Sequence, residues 1–107
     1  MNDPTDVRRQ RVLATIDAIP RGRVATYGGV ALEAGLPGRA RYVARVLREL
    51  PNNHTLPWHR VVGAGGHLRT SGPSATRQAR LLRAEGVPVR AGRLDLTNHV
   101  WPSDADS

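Results

Sequence analysis

The chain of 107 residues contains no cysteine and no lysine. The absence of cysteine excludes disulfide bonds, thiolate zinc sites and cysteine nucleophiles. The four histidines show no paired ligand spacing, so we expect no metal and no cofactor. There is no apolar run of membrane-spanning length, and the amino terminus is polar, so we expect neither a membrane segment nor a signal peptide. The expected location is therefore the cytoplasm, in association with the nucleoid.

All 16 basic residues are arginines, and they stand against 9 acidic residues, which gives a net charge of +7. Between residues 8 and 93 the sixteen arginines face only four acidic residues, a surplus of twelve positive charges. A GC-rich genome accounts for the choice of arginine over lysine, but it does not account for this surplus. A polyanion such as DNA is therefore the expected partner.

A chain of this length predicts one domain and a monomer, with a core from about residue 5 to 101 and flexible termini. Apolar residues at helical spacing predict a first helix from about residue 5 to Ile19. A short second helix is capped by Thr26 and stops at Gly35, and a third covers about residues 39–50. Two short helices joined by a turn with glycine indicate a helix-turn-helix.

The second half of the chain predicts a small wing and one more helix. Residues 61–68, with four residues of glycine-rich turn in the middle, indicate a hairpin. Ser74 is expected to cap a last helix that ends near Glu85, and the last dozen residues are expected to form a tail. The predicted fold is mainly α with a small β wing, a winged helix-turn-helix.

The third helix has one arginine face. Arg41, Arg45 and Arg48 follow one another at spacings of four and three residues, opposite the apolar positions. The predicted apolar stripe consists of Val43, Val46, Leu47 and Leu50. A solvated charged face is the alternative, but the second helix of a helix-turn-helix is the one usually laid into a DNA groove, which favours DNA binding.

Residues 57–61, Pro-Trp-His-Arg-Val, resemble Pro-Cys-His-Arg-Val, the active-site motif of the O6-alkylguanine-DNA alkyltransferases, at four of five positions. Residues 22–28 resemble the family's Gly-x-Val-x-Thr-Tyr-Gly block, and residues 40–43 its Ala-Arg-x-Val block, with Arg41 seventeen residues ahead of Trp58. The resemblance covers most of the chain, from about residue 24 to 89. It implies the fold of the family's carboxy-terminal DNA-binding domain.

Trp58 stands where the family has its reactive cysteine. An indole offers an N–H donor and an apolar face but no nucleophile, so we expect no enzyme and no catalytic residue. The chain thus resembles the alkyltransferase-like proteins, which bind alkylated guanine without repairing it and flag it for nucleotide-excision repair. His59 and Glu85, which match the residues that activate the cysteine, are expected to be structural. The chain is expected to hold only the DNA-binding unit, without the amino-terminal domain of many active members.

The resemblance also implies roles for individual residues. Tyr27 would rotate the phosphate of the target nucleotide. Arg41 would be the finger, the side chain that is inserted into the base stack in place of the flipped base, and Arg39 is the alternative candidate for this role. Without the family, Tyr27 would be a helix-start residue packed on the core.

The expected base pocket contains Tyr27, Trp58, Val61, Leu68, Ser71 and Gly72, the last two in a loop with Thr70. Expected DNA-backbone contacts are Thr26, Arg39, Arg45 and Arg48. Either Asn52 or Asn53 would support the turn before Trp58.

These observations favour a sensor that binds duplex DNA through the minor groove, flips O6-alkylguanine towards Trp58 and recruits nucleotide-excision repair proteins. The alternative is a winged-helix regulator or architectural protein, which would show sequence preference and indifference to alkylation. A third hypothesis, alkyl transfer to another residue such as His59, is the weakest of the three because no side chain here combines nucleophilicity with the right position.

Overall fold

The computed structural model describes residues 4–68 and 72–102. The elements follow in the order α1 (Pro4–Asp17), β1 (Ala25–Thr26), α2 (Tyr27–Glu33), α3 (Ala40–Arg48), β2 (Val61–Val62) and α4 (Gly72–Ala84). Single 3-10 turns, Trp58–Arg60 and Ala64–Gly66, lie on either side of β2. The mainly helical fold is as predicted. Thr70 and Ser71 lie outside the described residues.

Helix α1 buries the predicted stripe. Val12, Ile16 and Ile19 are each at most 1 % exposed and belong to the core shared with α2 and α3. The helix ends at Asp17, and the N–H of Ile19 donates to the Ile16 carbonyl at 3.1 Å as the chain leaves it. The apolar spacing therefore located this helix correctly to within about two residues at its end.

Helices α2 and α3 form the predicted helix-turn-helix. The hydroxyl of Thr26 accepts a hydrogen bond from the N–H of Gly29 at 2.9 Å and so caps α2. Gly35 ends the helix with φ +78°, a left-handed conformation that lets the N–H of Leu36 donate to the Ala31 carbonyl at 2.8 Å. The buried faces of the two helices then pack together, as the sequence indicated.

The hairpin predicted for residues 61–68 is wrong. Strand β2 pairs in parallel with β1, with Ala25 opposite Val61 and Thr26 opposite Val62. Both valines are fully buried, which requires a partner strand inside the core rather than a solvent-facing wing. The glycine-rich turn is closed instead by the N–H of Gly63, which donates to the carbonyl of His67 at 2.7 Å.

Two boundaries in the second half also need correction. Helix α4 begins at Gly72, so Ser74 lies inside its first turn rather than at the cap. The expected tail is bonded to the body as far as Trp101, whose N–H donates to the Val24 carbonyl at 2.7 Å, while the N–H of Val24 donates to His99 at 2.9 Å. Sequence periodicity cannot reveal such an attachment, because backbone groups make it.

Gln78 is the fully buried polar side chain of α4. Its amide nitrogen donates to the carbonyls of Val61 at 2.9 Å and His59 at 3.2 Å, so α4 holds the chain on both sides of Arg60. The sequence did not mark this residue, since glutamine in a helix is ordinarily a surface choice.

Gln78→Leu is expected to lower the free energy of unfolding by about 1–3 kcal/mol, because the buried Val61 carbonyl and the partly buried His59 carbonyl lose this donor. Chemical denaturation followed by circular dichroism would measure the loss. The matched control is Arg80→Leu, an exposed position on the same helix, for which a change within about 0.5 kcal/mol is expected. An equal loss in both variants would contradict the assigned role of Gln78.

Candidate nucleic-acid interface

The turn that carries Trp58 is held largely by its own backbone. The N–H of Trp58 donates to the Leu56 carbonyl at 2.8 Å, and that of Arg60 donates to Pro57 at 3.0 Å. The imidazole of His54 accepts from the N–H of Leu56 at 3.1 Å.

The expected asparagine support for this turn is not seen. The side chains of Asn52 and Asn53 are exposed and make no hydrogen bond within the described residues. His54, rather than either asparagine, is the side chain of residues 52–54 that hydrogen-bonds the segment leading into the turn.

Trp58 forms one wall of an open cleft. Its ring is partly buried against the core of α1 to α3, and it meets the His59 ring edge to face, with centroids 6.2 Å apart. The guanidinium carbon of Arg77, on α4, lies 5.9 Å from the centroid of the Trp58 ring, within cation–π range. The cleft measures about 470 Å³ and is bordered by Leu47, Arg48, Leu50, Pro51, Asn52, His54, Trp58, Ser74 and Arg77. This volume is in the ordinary range of small-molecule pockets.

Glu85, the residue that follows α4, accepts hydrogen bonds from four donors of the described residues. Its carboxylate accepts from Nε2 of His59 at 2.7 Å and from Nε and Nη2 of Arg60 at 2.9 and 2.8 Å. The N–H of Gly22 adds a fourth bond at 3.1 Å, and Arg60 also donates to the Ile19 carbonyl at 2.8 Å. The end of α1, the Trp58 turn and the end of α4 are thereby tied together.

The charge state of Glu85 follows from these contacts. Burial by itself would raise its pKa, but the hydrogen bonds from Arg60, His59 and Gly22 outweigh burial and lower the pKa from 4.5 to about 2. The carboxylate is therefore ionised at neutral pH and compensates the buried guanidinium. His59 and Glu85, both expected to be structural, are hydrogen-bonded to each other. The contribution of Arg60 was missed, since nothing in the motif distinguishes it from a surface arginine.

The arginine face of α3 is exposed as predicted. Arg41, Arg45 and Arg48 all reach solvent, and Arg39 stands just before the helix without a side-chain capping bond. Arg45 lies 3.7 Å from Glu49, but both side chains are more than half exposed, so this ion pair is weak. Arg41 makes no hydrogen bond or ion pair with the described residues, which leaves its guanidinium available to a ligand.

Tyr27 and Thr26 lie where α2 begins. Tyr27 is the first residue of the helix and packs, partly buried, on the same core as Trp58. Thr26 uses a lone pair of its hydroxyl for the helix cap, and its O–H proton is still able to donate to a phosphate. The roles of both residues towards DNA stay predictions.

The other expected pocket residues are dispersed. Val61 is fully buried in the core that Trp58 contacts, whereas Leu68 belongs to a second buried cluster and borders a separate cleft of about 580 Å³. Gly72 is exposed at the start of α4. The geometry therefore brings Trp58 together with Leu47, Leu50 and Arg77 rather than with Leu68. That the residues expected from the sequence form one base pocket stays a prediction.

The described ranges, 4–68 and 72–102, contain neither a cluster of metal-binding side chains nor a membrane-spanning helix. No three His, Cys, Asp or Glu side chains there are grouped closely enough to hold a metal ion. No helix in those ranges has the length and apolar character needed to cross a membrane.

A helix-turn-helix with an exposed arginine face, beside a tryptophan-bearing turn, has the features of a DNA-binding domain. The family model described as "6-O-methylguanine DNA methyltransferase, DNA binding domain" matches residues 8–87. The chain belongs to this family, which confirms the resemblance read from its motifs.

Relatives within this family are similar over nearly the whole chain. The DNA base-flipping protein of Escherichia coli is 50 % identical over 93 residues, which are 86 % of this chain and 72 % of the relative. The alkyltransferase-like protein 1 of Schizosaccharomyces pombe is 33 % identical over 98 residues, covering 85 % and 91 %.

Solved structures agree with the sequence relatives. Schizosaccharomyces pombe Atl1 in complex with damaged DNA containing O6-carboxymethylguanine superposes with a TM-score of 0.83 at 30 % identity, over 94 % of this chain and 98 % of that one. Mycobacterium tuberculosis OGT in complex with DNA gives 0.66 at 34 % identity, over 79 % of this chain and 51 % of that one. The predicted fold class is therefore confirmed.

Proposed function

We propose that the protein is a non-enzymatic sensor of O6-alkylguanine in duplex DNA. It binds through the minor groove, turns the alkylated nucleotide out of the stack and holds it beside Trp58. The observation that carries this proposal is a substitution within a retained framework. The helix-turn-helix and the hydrogen-bonded His59–Glu85 pair are present, while the motif that resembles the family's Pro-Cys-His-Arg-Val holds an indole where that motif has its nucleophile. Relatives named for base flipping support the proposal.

The helix-turn-helix carries the side chains that base flipping requires. Removing a base from the stack costs a few kcal/mol, and a side chain inserted in its place offsets part of that loss. Arg41, exposed at the start of α3 and without a protein partner in the described ranges, is positioned to act as that side chain. The arginines further along α3 and Thr26 then hold the phosphates on either side.

Alkyl transfer is not part of the proposed activity. Trp58 has no nucleophilic atom, and His59 is held through Nε2 by the Glu85 carboxylate with only 12 % of its side chain exposed. The output is instead recruitment: the protein holds the flipped lesion and so marks it for nucleotide-excision repair. On this proposal, adding the protein raises incision of an O6-alkylguanine duplex by excision-repair proteins.

The direct test is binding at fixed salt to one duplex with either guanine or O6-methylguanine at a single site, since non-specific affinity depends steeply on salt. We expect the lesion duplex to bind at least roughly tenfold more tightly, because the damaged pair costs less to open and the substituent gains contact with Trp58. Equal affinities would favour a regulator or architectural protein. Intact-mass measurement after incubation should show no alkyl adduct, and a mass increase of one methyl group would contradict the non-enzymatic assignment.

A further inference from the structure

Arg77 approaches the face of Trp58 from α4, with its guanidinium carbon 5.9 Å from the ring centroid. This side chain is exposed, and it makes no hydrogen bond or ion pair with residues 4–68 or 72–102. Other arginines of this fold are bound internally: Arg60 to Glu85, and Arg83 to the Val89 carbonyl at 2.9 Å. Arg77 thus presents its N–H groups to the cleft beside Trp58.

The cleft has the electrostatic character of an anion site. Arg48 borders it from α3 and Arg77 from α4, and no carboxylate is among the described residues that line it. Both described ion-paired carboxylates, Glu49 and Glu85, are engaged elsewhere. A negatively charged group in the cleft would therefore meet two cations and no carboxylate from the part of the chain that the structure describes.

We propose that Arg77 is a specificity residue that favours O6-alkyl groups ending in an anionic oxygen, a carboxylate above all. This inference rests on the proposed function. A guanidinium next to an aromatic ring still has N–H groups that the ring does not use, and their fork fits the two oxygens of a carboxylate in a bidentate pair. A methyl or other neutral substituent contacts Trp58 but cannot form this bidentate pair with Arg77.

A phosphate of the DNA backbone offers the same anionic oxygens, and the two sources make different predictions. If Arg77 binds the substituent, its replacement weakens only duplexes whose lesion is charged. If Arg77 binds a phosphate, replacement weakens every duplex alike.

The experiment compares the full chain and Arg77→Gln on four duplexes of one sequence, with guanine, O6-methylguanine, O6-carboxymethylguanine or O6-carbamoylmethylguanine at one position. The carbamoyl group has nearly the shape of the carboxylate without its charge. For the unaltered chain we expect roughly fivefold tighter binding of the carboxymethyl than of the carbamoylmethyl duplex, the size of a solvent-accessible charge pair. In Arg77→Gln this ratio should fall most of the way to one, with any remainder due to Arg48, whereas preference for O6-methylguanine over guanine persists.

Arg80→Gln is the matched control, since it removes the same charge from an exposed position on α4 outside the cleft. It should keep the carboxymethyl preference. Arg77→Lys, which retains the charge without the fork, should give an intermediate ratio. An unchanged ratio in Arg77→Gln, or uniform weakening of all four duplexes, would overturn the inference and leave the proposed function standing. No preference of the unaltered chain for any lesion over guanine would overturn both.

Discussion

Glu85→Ala is expected to lower the free energy of unfolding by about 3–5 kcal/mol, the usual cost of removing one partner of a buried ion pair. The carboxylate is 5 % exposed and the Arg60 side chain 16 %. Without the carboxylate, the guanidinium of Arg60 keeps, among the described residues, its bond to the Ile19 carbonyl and is left buried with an uncompensated charge. His59 and the N–H of Gly22 lose their acceptor as well.

Urea denaturation at neutral pH would measure this loss. Glu33→Ala is the matched control, because Glu33 is an exposed carboxylate of α2 that makes no hydrogen bond or ion pair with the described residues. Its replacement should change the stability by no more than about 0.5 kcal/mol. If the two variants were equally stable, the Glu85 contacts would not contribute as the distances indicate.

The same carboxylate makes stability depend on acid. Its pKa is about 2 in the folded chain, below the ordinary value of 4.5, so the unfolded chain takes up the proton first. The contribution is complete above about pH 5 and is lost as the pH falls towards 2, and the separation of the two pKa values corresponds to about 3 kcal/mol. The stability difference between the unaltered chain and Glu85→Ala should therefore narrow by this amount across that window.

Arg41→Ala is expected to weaken binding of an O6-methylguanine duplex by roughly ten- to a hundredfold, or about 1–3 kcal/mol, since nothing then fills the space of the flipped base. Binding of the undamaged duplex should fall much less, because it loses only one positive charge. Fluorescence of a base analogue opposite or beside the lesion would report the flipping step directly.

Arg45→Ala is the comparison within the same helix face. As a predicted phosphate contact, Arg45 should contribute equally to both duplexes, so its loss should lower both affinities while the preference for the lesion is retained. Arg39→Ala tests whether Arg39, rather than Arg41, is the side chain inserted in place of the flipped base. A loss of lesion preference in Arg39→Ala but not in Arg41→Ala would show that the finger is Arg39.

Local patterns were sufficient for the parts of the fold that local interactions form. The stripe of Val12, Ile16 and Ile19, the cap at Thr26 and the stop at Gly35 each depend on residues within seven positions of one another. The hairpin prediction failed because the valines of β2 pair with β1, some 36 residues earlier in the chain. A short buried strand carries no sign of its partner in its own sequence.

The sequence by itself determined that this chain lacks a cysteine nucleophile, that it carries a surplus of positive charge and that Trp58 stands in a motif that resembles the one holding the reactive cysteine of its family. These are properties of residue type, which folding does not change. Only the tertiary structure decided that Glu85 binds His59 and Arg60 across 26 and 25 positions, and that Arg77 lies against Trp58. Such contacts depend on where the ends of α1 and α4 meet the Trp58 turn, and packing of the whole core sets that distance.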